Sequence, residues 1–151
     1  MASFSSLFIN KIDRKGRVSV PASFRAALAG QSFNGIVVYP SIKLPALEAS
    51  GVERVEELIE QLDHLPEFSA EYDALASLLP DVQQLAFDGE GRVTLPPALI
   101  AHAGLSESAA FAGFGHTFRI WEPERFKVHQ QEMRELVRQR GLSLPPRRTP
   151  R

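Results

Sequence analysis

The feature that most constrains the fold of this chain is an internal duplication. Residues 12–22, IDRKGRVSVPA, return as residues 87–97, FDGEGRVTLPP. At a constant offset of 75, Asp13, Gly16, Arg17, Val18 and Pro21 recur as Asp88, Gly91, Arg92, Val93 and Pro96. Ser19 and Val20 are answered by Thr94 and Leu95. Two copies are too few for a solenoid, which depends on stacking many neighbours. They point instead to two small units packed against each other as a pseudo-dimer. A length of 151 residues fits one domain or two very small ones, and suffices to bury a core without disulfides.

Local chemistry predicts the shape of each unit. FINKI, QQLAF and the RVSV and RVTL runs are rich in branched and aromatic residues and read as short strands. Between them, Asp-x-x-Gly-Arg supplies a glycine where φ is positive and an Asp that accepts bonds from nearby backbone N–H groups or pairs with the Arg. Pro21 and Pro96 end the second strand of each unit, because proline cannot donate to a ladder. Residues 22–28 and 97–103 follow as short helices. GIVVYP and FRIWEP read as a further pair of matching strands, at a shifted offset.

The segment between the copies reads as a helical hairpin. Val52, Val55, Leu58, Ile59, Leu62 and Leu65 recur at helical spacing, with Glu53, Glu56, Glu57 and Glu60 on the other face. Pro66 stops this helix, and Ser69 caps a second one that carries Tyr72, Leu75, Leu78 and Leu79 and ends before Pro80. A last helix begins at Pro123 and is capped by Gly141. The predicted organisation is therefore a first unit at 4–47, a helical insert at 48–80, a second unit at 81–122, a C-terminal helix at 123–140 and a disordered Pro- and Arg-rich tail at 141–151.

The formal net charge of -1 conceals strong segregation. Residues 1–30 carry +4, residues 31–82 carry -8, residues 83–121 carry -1 and residues 122–151 carry +4. Such asymmetry points to a charged partner. With no cysteine, the chain can build neither a disulfide, a thiolate zinc site nor a cysteine nucleophile. The four histidines are scattered without metal-ligand spacing, so no metal and no cofactor is expected. Gly113-Phe114-Gly115 lacks the third glycine of a dinucleotide loop, and no catalytic serine elbow occurs. Enzymatic function, a small-molecule substrate and membrane insertion are not expected, and the compartment reads as cytoplasmic. Phe111, Phe114, Phe118 and Trp121 are expected in the core.

The paired Asp-x-x-x-Arg loops, each followed by a Val-x-hydrophobic-Pro strand end, resemble the MraZ family of bacterial transcriptional regulators. The likeness covers residues 4–140 and rests on DRKGRVSVP, DGEGRVTLP, VVYP, FGHTFRIWEPERF and the helical insert. It implies an α+β fold with a mainly β core. Two tandem AbrB-like swapped-hairpin units would form a pseudo-dimeric β-barrel, with the helical hairpin inserted and a helix at the C-terminus. It also implies ring-like homo-oligomers that bind double-stranded DNA at promoter repeats, in the nucleoid, and repress the division and cell-wall gene cluster. In the family, the first unit usually has a strand between its helix and the VVYP-like strand. AGQSFNG leaves little room for one, so that unit reads as trimmed.

The two loops are chemically unequal. The first offers Lys11, Arg14, Lys15 and Arg17 around Gly16, whereas the second has Gly89 and Glu90 in place of Arg14 and Lys15. DNA binding needs cations and backbone donors close to phosphates. The expected DNA-binding residues are therefore Lys11, Arg14, Lys15, Gly16 and Arg17. Asp13, Asp88, Gly91 and Arg92 are expected to shape the loops, and Arg17 to divide its role between Asp13 and DNA. The acidic insert, residues 48–73, is expected far from the first loop. A protein-binding assembly module without specific DNA recognition is the alternative reading.

Overall fold

Residues 2–147 are described in the computed structural model, and short segments among them form eight strands. The first unit runs β1 (Leu7–Lys11), β2 (Arg17–Ser19), α1 (Ala22–Ala27), β3 (Gly35–Pro40) and β4 (Leu47–Ser50). The insert holds α2 (Val52–Leu62), α3 (Ala70–Ala76) and a 3-10 turn at Leu79–Asp81. The second unit repeats the order with β5 (Gln83–Ala86), β6 (Arg92–Thr94), α4 (Pro97–Ala103), β7 (Ser108–Gly113) and β8 (Phe118–Trp121), and α5 (Pro123–Arg140) follows.

Six strands form one antiparallel sheet in the order β1-β7-β8-β4-β3-β5, and β2 pairs with β6 in a separate two-stranded ribbon. Exchanging the units leaves both orders unchanged. Only β3–β4 and β7–β8 pair within a unit; β1–β7, β3–β5, β4–β8 and β2–β6 all cross between units. Neither unit can therefore complete its sheet alone. The ladder does not close into the expected barrel. β1 and β5 remain its edges, and the ribbon is tied to β1 through the Ile12–Val18 bridge and a 2.7 Å bond from Asn10 Nδ2 to the Ser19 carbonyl.

Two other expectations change. GIVVYP forms β3 and corresponds in the topology to SAAFAG in β7, while FRIW in β8 corresponds to LEAS in β4. The first unit has thus lost no strand; the partner of β3 comes after it. LEAS is short and has a glutamate in its middle, so it carries little strand pattern of its own. The second insert helix stops at Ala76, and Pro80 enters the following 3-10 turn.

The inner face of the sheet packs Ile36, Val38, Leu47, Phe111, Phe118 and Ile120 against Phe24 and Leu99 of α1 and α4. Phe4, Phe24 and Phe118 meet with ring centroids 4.9–5.2 Å apart, the tilted and edge arrangements that aromatic quadrupoles favour. Phe114 departs from the expected core. It lies in the turn after β7, is 59% exposed, and has the Arg119 guanidinium 3.8 Å over its ring.

The helix caps follow from local chemistry. The Ser69 hydroxyl accepts from the Tyr72 N–H at 3.1 Å, and Gly141 takes the left-handed conformation that ends α5. At the start of α5 the Glu122 carboxylate accepts from the N–H groups of Glu124 and Arg125. Residues 142–147 have no regular structure. Arg148 and Arg151 of the basic tail, with the disorder expected there, lie outside the described residues.

Candidate nucleic-acid interface

Each Asp-x-x-Gly-Arg segment ties itself into the same knot. In the first loop, Asp13 Oδ1 accepts from the N–H groups of Lys15 and Arg17, both at 2.9 Å, and Oδ2 accepts from Arg17 Nε at 2.6 Å. In the second, Asp88 Oδ1 accepts from Glu90 and Arg92 at 2.9 Å each, and Oδ2 from Arg92 Nε at 2.8 Å. The backbone closes each turn identically, Gly16 donating to Asp13 and Gly91 to Asp88. Both glycines hold positive φ, +81° and +76°, where a side chain would be strained. The backbone N–H of Arg17 is the main cause holding the Asp13 carboxyl below its ordinary range, and that of Arg92 does the same for Asp88. The bond to Asp88 in turn raises Arg92.

The loops also lock each other. The Gly16 carbonyl accepts from the Leu95 N–H at 2.9 Å, and the Gly91 carbonyl from the Val20 N–H at 3.2 Å. Between them runs the β2–β6 ribbon, in which Arg17 faces Thr94 and Ser19 faces Arg92. Val18 and Val93 point into the core, each 1% exposed, so Arg17, Ser19, Arg92 and Thr94 share the opposite face. Two arginines thus sit at opposite ends of one short ribbon, each beside its own loop.

Charge distinguishes the loops. Arg17 is paired with Asp13, but among the described residues no salt bridge takes up Lys11, Arg14 or Lys15, and all three are exposed. In the second loop Arg92 is held by Asp88 at 2.8 Å and by Glu90 at 3.6 Å. Lys11 and Arg14 flank a shallow cleft with Ser106, Glu107 and Ser108.

A relative named "Transcriptional regulator MraZ" from Rickettsia bellii (strain OSU 85-389) is 44% identical over 146 residues, spanning 95% of this chain and 97% of the relative. The protein of the same name from Rickettsia akari (strain Hartford) is 40% identical over 145 residues, with the same coverage. The chain belongs to the MraZ family. The family description "MraZ protein, putative antitoxin-like" matches residues 78–141, which hold the second unit and α5.

In this MraZ-family chain one cation changes places in a way that simple reading of the repeat misses. Arg25, which lies in α1 of the first unit, covers the second loop: a Cβ at Gly91 would lie 2.6 Å from its guanidinium. Its Nε donates to the Val20 carbonyl at 3.1 Å. The equivalent cover over Gly16 is Ile100, which stands at the same offset of 75 from Arg25. The signal was present in the duplication, but the exchange between units becomes visible only once β2 and β6 are paired.

Proposed function

We propose that this chain is a sequence-specific DNA-binding transcriptional regulator that docks through the β2–β6 ribbon and the first loop. The observation that carries this reading is the set of three unpaired cations, Lys11, Arg14 and Lys15, held beside a ribbon whose outer face presents Arg17 and Arg92. A two-stranded ribbon fits the major groove of B-DNA, and arginine reads guanine edges there. Arg14 and Lys15 at the loop tip contact phosphates or base edges. Arg17 keeps its Nε on Asp13, and Asp13, Gly16, Asp88, Gly91 and Arg92 give the loops their shape. The crossing strand pairs support a tandem swapped-hairpin description of the two units.

The few cations per chain make single-chain affinity weak and salt-sensitive, so several chains on one assembly are needed to gain avidity on repeated sites. The family resemblance supplies the rest of the proposal: a ring-like homo-oligomer on promoter repeats, associated with the nucleoid, repressing the division and cell-wall gene cluster including its own promoter. The connectivity favours docking away from the insert. The insert leads into β5 at Gln83, whereas the second loop leaves β5 at Ala86.

The test is a gel-shift against DNA upstream of the protein's own gene, with repeat mutants and a salt series. Sequence-selective shifts that vanish in Arg14→Ala/Lys15→Ala support the reading. Unchanged affinity in that variant, with loss on Arg92→Ala, overturns the assignment to the first loop. Intact assembly without DNA retention at moderate salt favours the assembly module.

A further inference from the structure

The outer face of the β2–β6 ribbon carries more than its two arginines. Ser19 and Thr94 share that face with Arg17 and Arg92, and both are exposed. The bonds from the Leu95 N–H to the Gly16 carbonyl and from the Val20 N–H to the Gly91 carbonyl fix which residues of the ribbon exchange hydrogen bonds. Arg17 with Thr94 and Ser19 with Arg92 therefore form the non-hydrogen-bonded pairs, in which Cα atoms approach to about 4.5 Å and side chains lie closest. Each arginine thus has a hydroxyl of the other unit as its neighbour across the ribbon.

The four groups divide by chemistry. Both arginines commit Nε to an aspartate, and among the described residues neither their Nη groups nor the two hydroxyls make a hydrogen bond. A guanidinium only donates, so it reads the acceptors of guanine and not the amino groups of adenine or cytosine. The two hydroxyls are the ribbon's only side-chain acceptors. Thr94 also brings the only methyl group on this face, and a methyl is what meets the C5-methyl of thymine in the major groove. Ser19, its counterpart at the offset of 75, lacks one. On its outer face the near two-fold ribbon is thus broken between these two positions by a single carbon. That carbon stands at the end which the Leu95–Gly16 bond ties to the first loop.

We propose that Thr94 sets the base preference at the first-loop end of the ribbon, its methyl selecting thymine, and that Ser19 reads at the other end through its hydroxyl alone. The inference rests on the proposed docking through the ribbon and names the groups that discriminate bases there. Charge and base reading then come from different units at the same end: the first loop supplies the cations, and the second unit supplies Thr94.

Selection of bound duplexes from a library randomised across the promoter repeat, read by sequencing, tests it with the full chain. Wild type should favour thymine at one position beside the first-loop contacts, by roughly fivefold or more over the other bases. Thr94→Ser removes only the methyl. It should flatten that position and leave affinity for unrelated DNA within about twofold of wild type, since phosphate contacts carry no sequence information. Ser19→Thr adds the missing methyl and should create a thymine preference at a second position. Ser19→Thr/Thr94→Ser should move the preference from one end of the site to the other. A thymine preference that survives Thr94→Ser, or a uniform loss of affinity with the base profile unchanged, overturns the proposal. Should Thr94→Ser unfold, Ser19→Thr decides, and the absence of a new preference overturns it. A wild type with no base preference at all overturns the regulator reading as well. A selective wild type that is indifferent to thymine overturns this inference alone.

Discussion

The first and second loops share one backbone and differ in almost everything that a polyanion would sense. Both wrap three N–H donors around an aspartate, both turn on a glycine with positive φ, and both end in an arginine bound to that aspartate. Yet the first displays Arg14 and Lys15, and the second displays Gly89 and Glu90, the latter turned onto Arg92. Their covers are exchanged as well, an isoleucine over Gly16 and a guanidinium over Gly91. The hydrogen bonds that make the turn use backbone groups, the Asp side chain and the Arg side chain that pairs with it. The two tip residues contribute their N–H groups or nothing, so their side chains can vary without cost to the fold. The two loops share the scaffold, and they differ in charge where the scaffold does not constrain the side chain.

The largest expected effect comes from erasing that difference. Arg14→Gly/Lys15→Glu gives the first loop the tip of the second, and should weaken promoter binding on the order of 100-fold near 0.15 M salt. The salt slope should fall by about 2 per engaged chain. The converse change, Gly89→Arg/Glu90→Lys, should strengthen binding and steepen the slope. Equal affinities for the two variants, measured by fluorescence anisotropy across a salt series, would break the comparison.

Next in size are the glycines. A Cβ at Gly16 would lie 2.9 Å from the Leu95 carbonyl oxygen, part of the backbone bond that locks the loops. At Gly91 the obstacle is the flexible Arg25 side chain. Positive φ costs an alanine about 1–2 kcal/mol at either site, and backbone crowding adds roughly 1–2 kcal/mol more at Gly16. Urea unfolding should therefore rank Gly16→Ala as the more destabilising. Arg25→Ala should relieve part of the penalty of Gly91→Ala and none of that of Gly16→Ala.

The aspartates should be alike in stability and unlike in binding. Asp13→Ala and Asp88→Ala each remove the acceptor of three bonds, and thermal unfolding should show similar losses. Only Asp13→Ala should also reduce DNA affinity, since it releases the cationic tip. The smallest effect is on pH. Both carboxyls titrate below their unfolded value of about 3.9, so their stabilisation is complete above that pH and is lost as pH falls through the folded values. Acid titration followed by circular dichroism should show a shallower loss below about pH 4 in Asp13→Asn/Asp88→Asn than in wild type.

Much of this was legible in the residues themselves. The duplication, the loop chemistry, the proline strand ends and the caps at Ser69 and Gly141 depend on contacts within about five residues, and sequence spacing reports such contacts directly. Pairing between strands does not work that way. Alternation says which side of a strand is buried, and is silent on which strand lies beside it. That is why the residues alone match GIVVYP to FRIWEP, give LEAS no strand pattern and place Phe114 inside.

The chain's own order of residues therefore settled that there are two similar units, what each loop looks like and where the charge lies. The folded molecule settled that strands of one unit pair with strands of the other, that Arg25 of one covers the glycine of the other, and that Arg17 and Arg92 share a face. The reason is range. A turn closes through bonds between near neighbours, whereas a sheet closes through bonds between segments about a hundred residues apart, such as Leu7 and Ala112. Those are selected by the packing of the whole core.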